Sequence, residues 1–336
     1  MAAERSPERA EVSVRVPGKV NLFLAVRGVR EDGFHEIASV LQTVSLYDEL
    51  RAYLAGPPGW GQHPAARQRM RLDLVTAPLE GLPTGRENLV VQAGLALGRA
   101  AGVIDYRGED AGGHAGSHTT VPRTVLELTK AIPIAGGMAG GSANAAATLV
   151  ALNDLWRCGL SREALREIGA ELGSDVPFCV LGGTAYASGR GTSLARVLCR
   201  GEFTWLVVPD REPLSTAAVY ASWDAHCTPV AASADPVLQA LRAADPVALG
   251  CALHNDLEPA AFALRPDLAA RKQRLLEAGA LGVVLSGSGP TLLALARDAA
   301  HAEAVGRAVE DSTHSRIVVT SPAGSPELRR PVADPR

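Results

Sequence analysis

Pro133-Ile-Ala-Gly-Gly-Met-Ala-Gly-Gly-Ser-Ala-Asn144 is a glycine-rich loop that opens directly into a run of good helix formers. Gly136, Gly137, Gly140 and Gly141 carry no Cβ, so a ligand can approach the backbone amides there. From Ser142 onward Leu149, Leu152 and Leu155 recur at helical spacing, and Gly159 is a natural stop. Free N–H groups at a helix start, reached through glycines, suit phosphate. The loop reads as a nucleotide-phosphate cradle, with a flexible linker ahead of a helix as the plain alternative. A Walker A loop is excluded because no lysine separates Gly141 from Ser142. Met138 breaks the Gly-x-Gly-x-x-Gly spacing, and Gly189-Arg-Gly191 and Gly287-Ser-Gly289 also lack its third glycine.

Outward from the loop, Val125-Leu-Glu-Leu-Thr129 is a strand that feeds it, and a second helix runs from an Ser161 cap to Leu172. Upstream, Glu11–Val16 alternates as a strand that ends at Pro17-Gly18. Val20–Val29 continues extended, Arg30–Gly33 turns, Ile37–Tyr47 is apolar, and Asn88–Ala101 is a helix. Downstream, Phe203–Val208 opens a second domain with helices near 215–224, 236–243, 266–278 and 299–309 and strands at 282–285, 292–296 and 316–320. Strands and helices mix without regular alternation, which predicts an α+β fold in two domains, 11–199 and 200–320. Residues 1–10 and 321–336 read as disordered tails, and 107–119 as a disordered insertion whose His114 and His118 have no partner donors for a metal.

Composition narrows the class. The 336 residues, 47% hydrophobic and 21% charged, suffice for two domains with a large core. A net charge of −3 gives no basis for nucleic-acid or membrane-surface binding, and no apolar run approaches a bilayer span. The polar start is neither signal peptide nor anchor. Five scattered cysteines without Cys-x-x-Cys spacing suit a reducing cytoplasm. Of 33 basic residues only Lys19, Lys130 and Lys272 are lysines, which marks places where a compact ammonium is needed, or mere survival on the surface.

Three segments together resemble the signature motifs of the galactokinase/homoserine/mevalonate/phosphomevalonate small-molecule kinases: Pro17-Gly-Lys-Val-Asn21, the loop 133–144, and Ser286-Gly-Ser-Gly289. Glu31-Asp-Gly-Phe-His-Glu36, Gly173-Ser-Asp-Val-Pro177 and Leu214-Ser-Thr-Ala-Ala-Val-Tyr220 bring the chain closest to the branch that phosphorylates a cytidine-diphosphate-linked methylerythritol. The similarity runs over about residues 12–320, with the active site between two domains. Two departures are Gly18, where the family usually has Ala, and Phe34, where Tyr is frequent.

The resemblance implies ATP as phosphoryl donor, Mg²⁺ beside it, and a monomer or weak homodimer. It implies Lys19 and Asp175 as the catalytic pair. Pro133, Ile134, Ala135, Gly136, Gly137, Met138, Ala139, Gly140, Gly141, Ser142 and Ala143 would form the ATP-phosphate loop, with Ser142 near the metal. Asn88 and Lys130 would line the adenine pocket. Phe34 and Tyr220 would sandwich cytosine, His35 would read its edge, and Asn21 and Thr216 would face the substrate's erythritol and pyrimidine ends. Taken singly, these residues have plainer readings: Asp175 as a helix cap, Lys19 as a solvated turn lysine, Phe34 and Tyr220 as core aromatics. Another acceptor within the superfamily, or a non-catalytic nucleotide sensor, stays open at this point.

Overall fold

The computed structural model describes residues 10–55, 71–76, 82–102, 123–134, 136–210, 212–229, 231–308 and 316–330. The expected insertion at 107–119 lies outside them.

Two long antiparallel strands, β1 (Glu11–Val29) and β2 (His35–Ala55), form the spine. The strand expected to end at Pro17-Gly18 does not end there. It stays paired with β2 and absorbs Pro17, which has no N–H to donate, through a register shift between Pro17 and Gly18. A second shift between Asn21 and Phe23 follows, so Lys19 and Asn21 are bracketed by irregular pairing that re-aims side chains.

The remaining elements of the first half are β3 (Arg71–Thr76), α1 (Leu89–Ala100), β4 (Arg123–Thr129), α2 (Gly140–Leu155), α3 (Arg162–Leu172), α4 (Val176–Leu181), β5 (Thr184–Gly189) and β6 (Ser193–Arg196). β2 pairs β5 through Ile37–Gln42 and β4 through Glu49–Ala55, and β3 runs parallel to β4. Helix α2 begins at Gly140, two residues before Ser142, and is buried on nearly every side. Its small residues Ala143, Ala145, Ala146 and Ala147 allow close approach, while Leu149 and Leu152 fill the core at about 2 kcal/mol each.

The second half comprises β7 (Phe203–Val208), α5 (Thr216–His226), α6 (Asp235–Ala243), α7 (Pro246–Ala252), β8 (His254–Asn255), α8 (Glu258–Leu264), α9 (Pro266–Glu277), β9 (Gly282–Leu285), β10 (Leu292–Ala296), α10 (Ala299–Ala308), β11 (Ile317–Ser321) and β12 (Glu327–Arg329). Its antiparallel sheet has the order β11-β7-β10-β9. The halves interlock: β8 pairs β1 at Phe23 and Leu24, and Leu24 and Val26 share a core with Leu206, Val208 and Val219.

The tail expected to be disordered from Ser321 departs from expectation as far as Arg330. Ser321 completes β11, accepting from Trp205 Nε1 (2.8 Å) and donating to Gln42 Oε1 (2.6 Å). Strand β12 then pairs with the free edge of β1 at Ser13–Arg15. An unpaired edge and a buried indole N–H both need partners, and polar composition alone does not reveal that these residues supply them.

Candidate active site

A cleft of about 900 Å³ lies where the two halves meet. β1 brings Lys19 and Asn21 to it, the glycine loop and the start of α2 bring Gly136, Gly137, Ala139, Gly140, Gly141 and Ser142, and the β9–β10 turn brings Gly287 to Gly289. The three segments touch. The Lys19 N–H donates to the Met138 carbonyl (3.1 Å), and the Ser286 hydroxyl donates to the Gly137 carbonyl (3.0 Å). Gly137 has φ +72°, and a Cβ on it would lie 2.2 Å from the Ser286 carbonyl oxygen. A Cβ on Gly287 would sit 3.5 Å from Asn21 Oδ1 and 3.8 Å from Lys19 Nζ. Asn255 Nδ2 holds that turn through the carbonyls of Leu285 (2.8 Å) and Gly287 (2.7 Å).

Lys19 is 5% exposed. Its ammonium lies 3.3 Å from Asp175 Oδ2 and donates to Asn21 Oδ1 (2.8 Å). Asn21 in turn donates to Ser39 Oγ (2.9 Å), and Ser39 donates to the Phe23 carbonyl (2.6 Å), so the ammonium is held by a buried chain of hydrogen bonds. Asp175 does stand at the N-cap of α4, but its carboxylate caps nothing. Its side chain is 38% exposed, open to the cleft and to Lys19. Behind it, burial and then the Asp175 carboxylate push the Cys179 thiol far up, which keeps that sulfur protonated and inert.

The helix α2 starts from Ala139 in the left-handed region (φ 55°) with no side-chain cap. The N–H groups of a first helical turn have no intrahelical acceptors, so those of Gly140, Gly141 and Ser142 are offered to the cleft with the positive end of the helix dipole. Such a helix start can receive an anion without a lysine.

Several expected residues lie elsewhere. Asn88 does not line the cleft; it caps α1, accepting from the Val90 N–H (2.9 Å) and donating to the Pro83 carbonyl (2.6 Å). Lys130 is also absent from the lining. It is paired inside the fold with Asp48 and donates to Asn144 Oδ1 (3.0 Å). Asp48 also accepts from the N–H groups of Ala131 (2.7 Å) and Ile132 (2.9 Å) and from Asn144 Nδ2 (2.7 Å). That network fixes both ends of the glycine loop, and a Cβ on Gly140 would lie 2.9 Å from Lys130 Nζ. Met138 and Ala143 are core residues. Pro133 and Ile134 do not line the cleft, and Ala135 lies outside the described residues.

Phe34, His35, Thr216 and Tyr220 also line the cleft. The His35 ring packs on Tyr220 (centroids 4.5 Å apart) and edge-on to Trp223, and its Nε2 lies 2.8 Å from Asp224 Oδ1. Burial, and then the Asp175 carboxylate, push the Tyr220 phenol up to about 12, so it is neutral at working pH. Thr216 shares a 2.8 Å hydrogen bond with Ser288 of the β9–β10 turn. Asp224 escapes the sequence reading, although Thr216, Tyr220 and Asp224 follow the i, i+4, i+8 spacing of one helix face. Arg190, whose guanidinium lies 3.6 Å over the Phe34 ring, was legible only as the middle of a glycine pair.

Comparison with known proteins gives the family of the chain. The model of the GHMP kinases N terminal domain matches residues 88–183, and that of the GHMP kinases C terminal domain matches residues 237–314. A 4-diphosphocytidyl-2-C-methyl-D-erythritol kinase of Mycolicibacterium smegmatis is 38% identical over 332 residues, covering 94% of both chains. That of Streptomyces avermitilis is 40% identical, over 94% of this chain and 98% of its own. The chain belongs to the 4-diphosphocytidyl-2-C-methyl-D-erythritol kinase family of the GHMP kinases. A crystal structure of a 4-(cytidine 5'-diphospho)-2C-methyl-D-erythritol kinase superposes with a TM-score of 0.70 at 29% identity, covering 93% of this chain and all of its own. A homoserine kinase from Cytophaga hutchinsonii shares the fold at 19% identity (TM-score 0.68, covering 98% and 100%). Membership of this family makes the chain an ATP-dependent kinase, and it sets aside the reading as a nucleotide sensor.

Proposed function

We propose that the cleft transfers the γ-phosphoryl group of ATP to the 2-hydroxyl of 4-diphosphocytidyl-2-C-methyl-D-erythritol, in the non-mevalonate route to isoprenoid precursors. The observation that carries this reading is the Lys19–Asp175 pair, set between an uncapped glycine-rich helix start and a cluster of base-sized rings. Phosphoryl transfer needs positioning and charge neutralisation more than covalent chemistry. The amides of Gly140, Gly141 and Ser142 receive ATP phosphates, and Gly136 and Gly137 let them approach. As the acceptor oxygen bonds to phosphorus and the bond to the departing ADP breaks, Asp175 takes the hydroxyl proton. Lys19 holds that carboxylate in place and offsets charge on the transferring oxygens.

Mg²⁺ would enter with ATP. The Ser142 hydroxyl, in the first turn of α2 and on the cleft wall, is an oxygen donor of the kind this hard ion takes, with phosphate oxygens and water for the rest. Bound there, it would neutralise phosphate charge. Cytosine would lie against Phe34 and Tyr220, with His35 at its edge and Asn21 and Thr216 along the substrate's length. All these groups come from one chain, which suits a monomer or a weak homodimer. Five free cysteines suit a cytoplasmic enzyme, and no helix among the described residues is long and apolar enough to cross a membrane.

The test is ATP turnover by the purified protein with 4-diphosphocytidyl-2-C-methyl-D-erythritol, mevalonate, homoserine or no acceptor. Turnover with the cytidine-linked alcohol alone is expected. Turnover with mevalonate or homoserine instead would overturn the acceptor while leaving the kinase.

A further inference from the structure

Gly189-Arg190-Gly191 forms the tight turn between β5 and β6, with the Gly191 N–H donating to the Ser188 carbonyl (3.1 Å). Both glycines have positive φ (+68° and +92°), so the backbone there is one that other residues adopt only with strain. The turn is hydrogen-bonded on one side and lies close to a neighbouring segment on the other. The Gly189 N–H donates to Glu36 Oε1 (3.1 Å), next to His35, and a Cβ on Gly191 would lie 3.8 Å from Ser174 Cβ, next to Asp175. Arg190 therefore stands between the base-sized rings and the reacting pair.

Its side chain is held but not satisfied. The guanidinium rests 3.6 Å above Phe34, a ring 49% exposed, and Nε is buried without a hydrogen-bond partner among the described residues. Its charge reaches the Asp32 carboxylate, and among the described residues no hydrogen bond joins the two. The other Lys or Arg on the cleft wall among the described residues, Lys19, is already engaged by Asp175 and Asn21.

We propose that Arg190 grips the diphosphate bridge of the cytidine-linked substrate, an inference that rests on the acceptor named above. Such a molecule carries its base at one end, the reacting alcohol at the other and the diphosphate between them. The negative bridge must then lie between Phe34 and Asp175, where Arg190 stands. A planar fork of N–H donors, kept in orientation by the Phe34 face, matches phosphate oxygens in pairs where an ammonium offers a point charge. The turn thereby adds a cation to the cleft that the glycine loop, which serves ATP, does not supply.

Titration calorimetry of the full chain with CDP and with cytidine tests this, using the wild type, Arg190→Gln and Arg190→Lys. The wild type binds CDP more tightly than cytidine. Arg190→Gln loses roughly 10–100-fold of its CDP affinity, the worth of charge-assisted hydrogen bonds, and keeps its cytidine affinity; Arg190→Lys falls between. In turnover, KM for the cytidine-linked substrate rises by the same factor while kcat falls far less. Equal losses for CDP and cytidine would assign the guanidinium to the Phe34 face and overturn the proposal, as would unchanged binding of both. If Arg190→Gln keeps the wild-type preference for CDP, only the role of Arg190 fails. A wild type that binds neither ligand overturns the cytidine-linked acceptor and the proposal with it.

Discussion

At the scale of single residues, the proposed transfer has Asp175 and Lys19 divide the work by exposure. The carboxylate is open to the cleft while the ammonium is sealed in the Asn21–Ser39 chain, so the pair presents an oriented base with a fixed counter-charge. Asp175→Asn keeps the shape and removes the proton acceptor. It is expected to lower kcat by roughly 10²–10⁴-fold with little change in KM, read by steady-state kinetics. Tyr220 allows a second, independent check. Its folded phenol titrates near 12 and an unfolded one near 10, so between those values the folded chain binds the extra proton. Stability is therefore lost as pH rises through that window, by on the order of 2 kcal/mol from this group. Denaturant unfolding at pH 10 and above should show a shallower alkaline fall in Tyr220→Phe than in the wild type.

At the scale of elements, the glycines of the phosphate loop have separate duties. Gly137 is required by the fold: its φ and the 2.2 Å approach of the Ser286 carbonyl leave no room for a methyl group. Gly137→Ala should destabilise the chain by about 2–4 kcal/mol, measured as a lowered urea midpoint. Gly141 differs. A Cβ there would make an ordinary 3.4 Å contact with Leu89 Cδ1, and the residue lies in the first turn of α2 on the cleft wall. Gly141→Ala should hold or raise stability by about 0.5 kcal/mol, because alanine favours helix, while raising KM for ATP. The two variants separate a glycine kept for packing from one proposed to serve phosphate.

At the scale of the whole molecule, the chain closes on itself. Strand β12 returns to the edge of β1, the Thr43 hydroxyl reaches the Ala323 carbonyl, and a Cβ on Gly182 would meet Ser325 Cα at 2.4 Å. The same return holds Trp205 and Gln42 through Ser321. Deleting residues 321–336 should therefore cost roughly 3–5 kcal/mol, from several buried hydrogen bonds at about 1 kcal/mol each and an uncovered strand edge. Thermal unfolding of the truncated chain measures it. An unchanged midpoint would mean that the return adds nothing to stability.

Much of the site was legible in the sequence because the chemistry sits in short motifs whose local geometry is self-contained. A glycine loop running into alanines starts a helix whose free N–H groups are set locally, and a run of helix-spaced residues keeps its identity wherever it packs. The α+β class followed likewise from local periodicity in strands such as Phe203–Val208 and helices such as Arg162–Leu172. Long-range pairing was not legible. That Lys130 is paired with a buried Asp48 depends on strands distant in sequence. Arg190 gains meaning only once the β5–β6 turn lies between Phe34 and Asp175. The tail acquires structure only because β1 has an edge to offer. Local sequence sets what each segment can do. Burial, which removes water as the alternative partner, decides which of those capacities is used.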